Sequence, residues 1–436
     1  MAKRKEIPQV QRVELKPLWG MKPGLWLSIL YLSAIILAVF LFGILPDLKN
    51  AFMRVGFSSK ALTAAVYVDG NYAGATPFSA KIPSGEHKVE FTAGGDVLDT
   101  VEIKVGHPVF FNWLFTRKMS VYSEAVMTEK ALESVSRTFL NDAAVYSAVT
   151  EYDSTFVYPP LFENYAKILI ANGANGKKEY EAFLFDALQF ACTPQMLSDA
   201  RRAFESLGLS ADFTKVEAIV NGTAAKAPVT DVLLTDTKAD TLDAKDGSFS
   251  LKGVKINGSF SMASETISEK LWRQFAEETA YNSDDIYYLA GVGSSSLIPI
   301  RNISYHSAQA FCAWLSEKTG RSVFIPSEEQ WRTAFKASDG QFGKTLVPTT
   351  ASDRNGVLRA MAGGLWEFTS TCYVPYEAFY GPTGIQDRLA ELDIDADIII
   401  KGGSYITSPD SVTSETDGLI PKNFCSDYTG LRPAWI

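Results

Sequence analysis

Histidine is nearly absent from this chain, three residues in 436, and cysteine is scarce at four. The familiar hydrolytic and nucleotide motifs are missing as well. There is no Gly-x-Ser-x-Gly elbow, no His-Glu-x-x-His pair and no Walker-type phosphate loop, which sets aside the enzyme classes built on them. A clustered basic surface is also lacking, since 41 Lys+Arg stand against 50 Asp+Glu for a net charge of −9. Nucleic acid binding needs such a cluster to displace counterions, so DNA and RNA are excluded as partners.

What is present begins with a long apolar run. Residues 25–45 carry no charge and are almost wholly apolar, long enough at about 1.5 Å per residue to cross a hydrocarbon core of about 30 Å. Lys3, Arg4, Lys5, Arg12, Lys16 and Lys22 precede it, whereas Lys49, Arg54 and Lys60 follow. The positive-inside bias therefore predicts a cytoplasmic tail (1–24), a single span (25–45) in the inner, cytoplasmic membrane, and the bulk of the chain in the periplasm or outside the cell. A cleaved signal peptide is the rival, opposed by the length of the run and by the absence of a small-x-small site after it.

A chain of this length suggests two or three domains beyond the span. Residues 61–110 read as short strands and turns, with Asp69-Gly70-Asn71 a hairpin signal after the alternating strand 64–68. Amphipathic helical segments follow over 124–215, broken at Pro159-Pro160, at 172–176 and at Thr193-Pro194. The stretch 221–247 is rich in Ala, Thr, Asp and Lys without an apolar period, so it predicts a flexible linker. A last domain is expected over 248–436. Within it Ser304 is placed to cap a helix bearing Ala308, Phe311, Cys312 and Leu315 on one face, and Gly320 ends that helix. A short strand 323–325 follows, and then a second helix beginning at Pro326 with Trp331 and Phe335 facing inward. Of the cysteines, Cys192 and Cys312 fall on apolar helix faces and read as buried thiols, while the even count leaves three pairings open.

Two resemblances add what periodicity cannot. The pattern Val66-x-Val68-Asp69-Gly70…Gly74-x-Thr76-Pro77…Ile82-Pro83-x-Gly85-x-His87-x-Val89 resembles the PEGA domain, a small β-sandwich found outside bacterial membranes. The run from Ile303-Ser304-Tyr305 through Phe311-Cys312-x-Trp314 to Ile325-Pro326-Ser327-Glu328…Trp331 resembles the formylglycine-generating, or sulfatase-modifying-factor, domain. Gly363-Gly364-Leu365-Trp366-Glu367-Phe368, Lys401-Gly402-Gly403-Ser404-Tyr405 and Gly430-Leu431-Arg432 follow in that family's order. The resemblance implies a multidomain bacterial envelope protein: transmembrane helix, small all-β sandwich, α-helical spacer, and an α+β domain of the C-type-lectin-like kind.

The same resemblance implies a cysteine oxidase built on two copper-binding cysteines, three and eight residues beyond the serine of the Gly-Gly-Ser block. Those positions are Thr407 and Val412 here, and no group without sulfur replaces a thiolate. A related branch holds iron with histidines in a helical region, and this chain's helical region has none. The expectation is therefore a non-catalytic domain that binds a protein or glycan in the envelope. Its surface would be the loop from Tyr405 to Phe424, with Trp366, Glu367, Tyr405 and Tyr428 as ligand candidates. Trp366, Glu367, Ser404 and Arg432 have a competing reading as scaffold. No cofactor is implied except calcium, for which Asp353, Asn355 and Glu367 could supply oxygens. The alternatives are an oxidase with a relocated thiol site, in which Cys372 and Cys425 figure, and a purely structural envelope scaffold. A Cys372–Cys425 disulfide is favoured over the relocated site, and Cys312 is expected free because its family partner position is Pro433.

Overall fold

A computed structural model describes residues 15–152, 157–228, 232–281, 298–344 and 357–436. The chain divides into two compact units, one formed by Met1–Val135 with Ile168–Ala174, the other by Ser136–Lys167 with Asn175–Ile436.

In the first unit the apolar run forms α1 (Pro23–Val39), a wider turn over Phe40–Ile44, and α2 (Leu45–Lys49), together one helix. It is long and apolar enough to cross a membrane, and nearly all of it is uncovered by protein. Seven strands follow: β1 (Phe52–Ser59), β2 (Ala65–Val68), β3 (Asn71–Ala75), β4 (Phe78–Pro83), β5 (Gly85–Ala93), β6 (Asp96–Val105) and β7 (Lys118–Ser123). They make two sheets, ordered β4-β1-β7 and β3-β2-β5-β6. Val55, Phe57, Val66, Val89, Phe91 and Val121 form the core between them. The expected hairpin is there, and Asp69 (φ 52°) and Gly70 (φ 79°) both sit in the left-handed region, which a two-residue turn of the twist-matched kind requires. The expected limits of 61–110 were too narrow. Strand β1 lies in the stretch taken as a connector and β7 beyond the end, although Val55, Phe57 and Ser59 alternate inward as a strand should.

The helices α3 (Glu129–Tyr152), α4 (Leu161–Ala171), α5 (Lys178–Leu188), α6 (Pro194–Leu207) and α7 (Thr214–Val220) occupy the predicted helical region. Thr193 caps α6 by accepting the Met196 N–H at 3.2 Å, with Pro194 starting the helix. Cys192 departs from expectation: it lies between α5 and α6, half-buried, and its thiol meets the Ser147 carbonyl at 3.5 Å.

The remaining elements are β8 (Thr237–Asp243), β9 (Ser250–Ile256), β10 (Phe260–Ala263), α8 (Glu269–Thr279), α9 (Tyr305–Thr319), β11 (Val323–Phe324), α10 (Glu328–Phe335), β12 (Phe342–Gly343), β13 (Ala362–Gly363), β14 (Trp366–Cys372), α11 (Pro375–Tyr380), α12 (Ile385–Glu391), β15 (Ile398–Lys401), β16 (Asp417–Ile420), β17 (Thr429–Gly430) and β18 (Ala434–Trp435). Two sheets organise them, β11-β18-β10-β9-β8 and β16-β15-β14-β17. Here the linker expected at 221–247 is corrected, because 237–243 is strand β8, paired antiparallel with β9 along its whole length. Its polar residues belong to an edge strand, where only Leu242 is drawn fully into the core. The helical segment is likewise no separate spacer, since most of it belongs to the same unit as these sheets. Arg388 on α12 pairs with Asp186 at 3.5 Å and lies over the Phe183 ring, and the Asp395 N–H reaches Asn141 at 2.8 Å. Amphipathic periodicity shows that a helix has an apolar face but not what covers it.

Candidate functional site

The two helices predicted around 304–335 fix the floor of the site. Ser304 caps α9 by accepting the Ser307 N–H, and Gly320 closes it in the left-handed conformation. At α10 the cap is Ser327, not Pro326, and it forms a reciprocal capping box with Gln330. That box aims Trp331 into the core, fully buried and stacked on Phe335 at 5.1 Å.

The Trp331 indole N–H donates to Glu367 Oε2 at 2.8 Å. Arg432 Nε and Nη2 approach the same carboxylate at 2.9 and 2.6 Å. The other guanidinium N–H groups reach the carbonyls of Ala263 (3.0 Å), Ser264 (2.7 Å) and Arg359 (2.8 Å). All five donors of Arg432 are thus engaged in a site closed to solvent. Glu367, a candidate for ligand or calcium, thus has both oxygens taken by Trp331 and Arg432 inside a buried centre. The other calcium candidates, Asp353 and Asn355, lie outside the described residues. Among the described residues no group of three or more His, Cys, Asp or Glu could hold a metal ion.

Next to this centre Lys401 is fully buried, paired with Asp417, 3.5 Å from Glu328 and over the Trp331 ring. The chain then turns through Gly402 (φ 95°) and Gly403 (φ 70°), conformations that favour glycine. A side chain at Gly402 would run into the Met361 carbonyl, and the Gly402 carbonyl accepts the Gly363 N–H at 2.7 Å. A Cβ on Gly403 would lie 2.7 Å from Val412 Cγ2 and 3.4 Å from Thr407 Cβ. The two positions that the resemblance assigns to copper-binding cysteines therefore converge on one spot. What they present there is two methyl groups, Thr407 Cγ2 and Val412 Cγ2, while Thr407 Oγ1 accepts the Ser404 N–H at 2.9 Å. Monovalent copper needs soft sulfur donors, so this pair does not fit the metal.

Trp366, Tyr405 and Tyr428 come together at the outer side. Trp366 donates its backbone N–H to the Tyr428 carbonyl at 2.8 Å, Tyr405 donates to the Gly364 carbonyl at 2.9 Å, and the two tyrosine rings lie 5.6 Å apart. Trp366 and Glu367 alternate on β14, so the indole lies by Gly418 of β16 while the carboxylate goes inward. Within the expected loop, Ile406 and Phe424 are 64% and 55% exposed, although neither was singled out as a ligand candidate. Apolar residues inside a Ser/Thr/Asp/Pro-rich loop were the available signal. The loop is not loose, because Thr413 and Thr416 bond each other's groups, Thr416 Oγ1 reaches the Ser411 carbonyl at 2.8 Å, and β16 pairs with β15.

Cys312 is a buried free thiol, as expected, and burial pushes its pKa well above the ordinary range. Cys372 is also free, so the expected pairing with Cys425 is not formed. Burial raises the Cys372 thiol too, and Gln386 brackets its backbone at 2.9 Å on both sides. A thiol kept protonated is a poor nucleophile and a poor metal ligand.

Comparison with known proteins agrees with this division. Residues 57–116 match the PEGA domain family, and residues 221–345 match the family described as sulfatase-modifying factor enzyme 1-like domain. The second match ends before β13, but Glu367 bonds Trp331, Lys401 lies 3.5 Å from Glu328 and Arg432 bonds the carbonyls of Ala263 and Ser264, which ties the blocks at 363–368, 401–405 and 430–432 to the matched residues. No curated protein matches the chain. Among solved structures, PvdO from Pseudomonas aeruginosa is 14% identical, over 47% of this chain and 93% of that one, with a TM-score of 0.31. Treponema denticola variable protein 1 is 12% identical over 46% and 99%, with a TM-score of 0.31, and CarF is 13% identical over 47% and 99%, with a TM-score of 0.29. One apolar helix of membrane-spanning length is thus followed by a β-rich stretch that matches the PEGA domain and by an α+β domain that matches, over 221–345, the sulfatase-modifying factor enzyme 1-like domain.

Proposed function

We propose that this is a single-pass protein of the bacterial inner membrane, its tail in the cytoplasm, whose sulfatase-modifying-factor-like domain binds a protein or glycan partner on the outer side instead of oxidising a cysteine. The observation that carries the reading is the placement of Thr407 and Val412 side by side over Gly403. The backbone holds two positions together as a two-ligand site would need, yet neither side chain is a ligand or a redox group. Beside them, Ile406 and Phe424 are exposed on a loop held by its own hydroxyl bonds, with exposed Tyr428 and half-buried Tyr405 next to them. Such a surface suits recognition, because ordering it costs little on binding.

The test uses the full-length protein in detergent, titrated with monovalent copper and incubated with a cysteine-containing sulfatase peptide. The expected result is no stoichiometric copper binding and no peptide oxidation, with tight copper binding gained by the Thr407→Cys/Val412→Cys double variant. Copper binding by the natural sequence that disappears in Cys372→Ser or Cys425→Ser, together with peptide oxidation, replaces this reading with the relocated oxidase.

A further inference from the structure

The segment from His107 to Arg117 reads His-Pro-Val-Phe-Phe-Asn-Trp-Leu-Phe-Thr-Arg. It connects β6 to β7, and it leaves Val109, Phe110, Trp113, Leu114 and Phe115 exposed, Phe110 at 58% and Phe115 at 73%. Five large apolar side chains on one short connection are far more than scattered surface residues, and contiguous patches of this kind mark an interaction site.

The structure shows where this loop is fastened. Pro46 has no N–H, so the Phe42 carbonyl loses the donor that a continuous α-helix would supply four residues on. The Trp113 indole N–H takes that carbonyl at 2.7 Å. One residue on, within the wide turn, the Gly43 carbonyl accepts the Phe111 N–H at 2.7 Å. Gly43 lies directly against the Phe111 ring, leaving no room there for a side chain. Asn112 completes the joint, donating its N–H to Asp47 Oδ2 at 2.7 Å and its amide to the Phe52 carbonyl at 2.7 Å.

Phe42 and Gly43 belong to the apolar run itself, about 5 Å short of its end at ~1.5 Å per residue. A loop bonded to those carbonyls is therefore level with the last turn of the span. The layer beyond it is cationic. Lys81, Arg54 and Lys118 are cross-strand neighbours at one register of β4-β1-β7, with Arg117 next in line, and among the described residues none has a carboxylate partner. Like charges opposite one another destabilise a sheet unless anions lie against them. Aromatic residues at the interface with cations outside them are the arrangement a phospholipid surface accepts.

We infer that the loop 107–117 is a second membrane contact: it inserts into the outer face of the bilayer that the helix crosses, with the Lys81–Arg54–Lys118 rung against headgroup phosphates. The PEGA domain is then seated on the lipid surface in a fixed orientation and does not swing from the helix. The inference rests on the span and is independent of what the C-terminal domain binds.

The test places a benzoylphenylalanine photocrosslinker at Phe115, Ile36 or Tyr72 of the full-length protein, reconstituted in phosphatidylethanolamine/phosphatidylglycerol vesicles. Ile36 lies in the span, and Tyr72 is exposed on the β2–β3 hairpin. All three side chains are exposed, so folding survives each replacement. Mass spectrometry is expected to show acyl-chain adducts at 36 and 115, with position 115 at least ten-fold above 72. Adducts at 36 with none at 115 overturn the insertion while leaving the span intact. Adducts from 115 to a second copy of the chain overturn it in favour of a dimer contact, and no adduct at 36 removes the span on which it rests.

Discussion

At the scale of single residues, the strongest commitment in the C-terminal domain is the closed charge centre of Glu367 and Arg432. Both side chains are buried, and each satisfies the other's hydrogen-bonding capacity together with Trp331 and three backbone carbonyls. Removing one partner from such a pair strands a buried charge, which costs about 3–5 kcal/mol. Glu367→Ala is expected to lower the unfolding free energy read from a urea titration of the full-length protein by that much, with a matching fall in the midpoint. Arg432→Lys should fail to rescue, because an ammonium cannot span a carboxylate and three carbonyls in one plane. If Glu367→Ala instead left stability unchanged and abolished partner binding, the carboxylate would be a ligand group after all. The sequence showed both residues as members of a familiar block, and it offered scaffold and ligand readings side by side. Which is right depends on a contact across 65 positions, and nothing local to Glu367 reveals Arg432.

Elements explain where reading by pattern succeeded and where it did not. Helix α9, its cap and its stop were legible to the residue, because caps and left-handed glycines are local chemistry. Strand β8 was not, since an edge strand needs few apolar residues and a polar one looks like a linker. Its value lies in Asp240, which accepts Ser261 Oγ at 2.6 Å and the Trp435 indole at 2.9 Å and pairs with Arg321 at 3.2 Å. A domain fragment beginning at Asp246 would lose all three bonds and uncover β9. It is expected to melt well below a fragment beginning before Thr237, and Asp240→Ala should reproduce about 1–3 kcal/mol of that loss. Equal melting temperatures for the two fragments would show β8 to be dispensable.

The hairpin between β2 and β3 carries a pH dependence of its own. His87 Nδ1 lies 2.7 Å from Asp69 Oδ2 and Nε2 lies 2.9 Å from the Pro83 carbonyl, so both ring nitrogens face acceptors and the doubly protonated ring is favoured. The bond to Asp69 is the main cause raising the His87 pKa above its ordinary value near 6.5. The His87 bond is likewise the main cause lowering Asp69, helped by the Lys88 N–H. A raised histidine stabilises fully below its unfolded pKa and loses that contribution as pH rises through the folded one; a lowered carboxylate does the reverse at the acid end. The contact is therefore strongest between about pH 4 and pH 6.5 and weakens above the raised His87 value. A proton NMR titration should place the His87 midpoint above 6.5, and Asp69→Asn should bring it down. A midpoint at or below 6.5, or one that Asp69→Asn leaves unchanged, would contradict the pairing.

For the whole molecule, the order of parts was legible and their boundaries were not. Composition alone separated an apolar helix, a turn-rich β region, a helical region and a mixed C-terminal domain, because each class has its own period and punctuation. Tertiary packing then moved the limits. Strands β1 and β7 extend the sandwich beyond 61–110, and most of the helical segment belongs with the C-terminal sheets. The orientation across the membrane is a separate matter, which neither period nor packing decides. It follows from charge: six cations stand in the 24 residues before the apolar run, against Lys49, Arg54 and Lys60 in the segment after it. In the proposed topology, the cost of moving lysines and arginines outward keeps the richer side in the cytoplasm. The folded residues after the run, including the cationic rung of β4-β1-β7, count less, because translocation of long domains proceeds largely regardless of charge. Protease added to intact spheroplasts is therefore expected to digest the chain beyond the span while sparing an N-terminal tag, and permeabilised cells should lose both. A tag that is cut in intact spheroplasts while the C-terminal domain survives would reverse the orientation, placing the Tyr405–Tyr428 surface and every partner proposed for it in the cytoplasm.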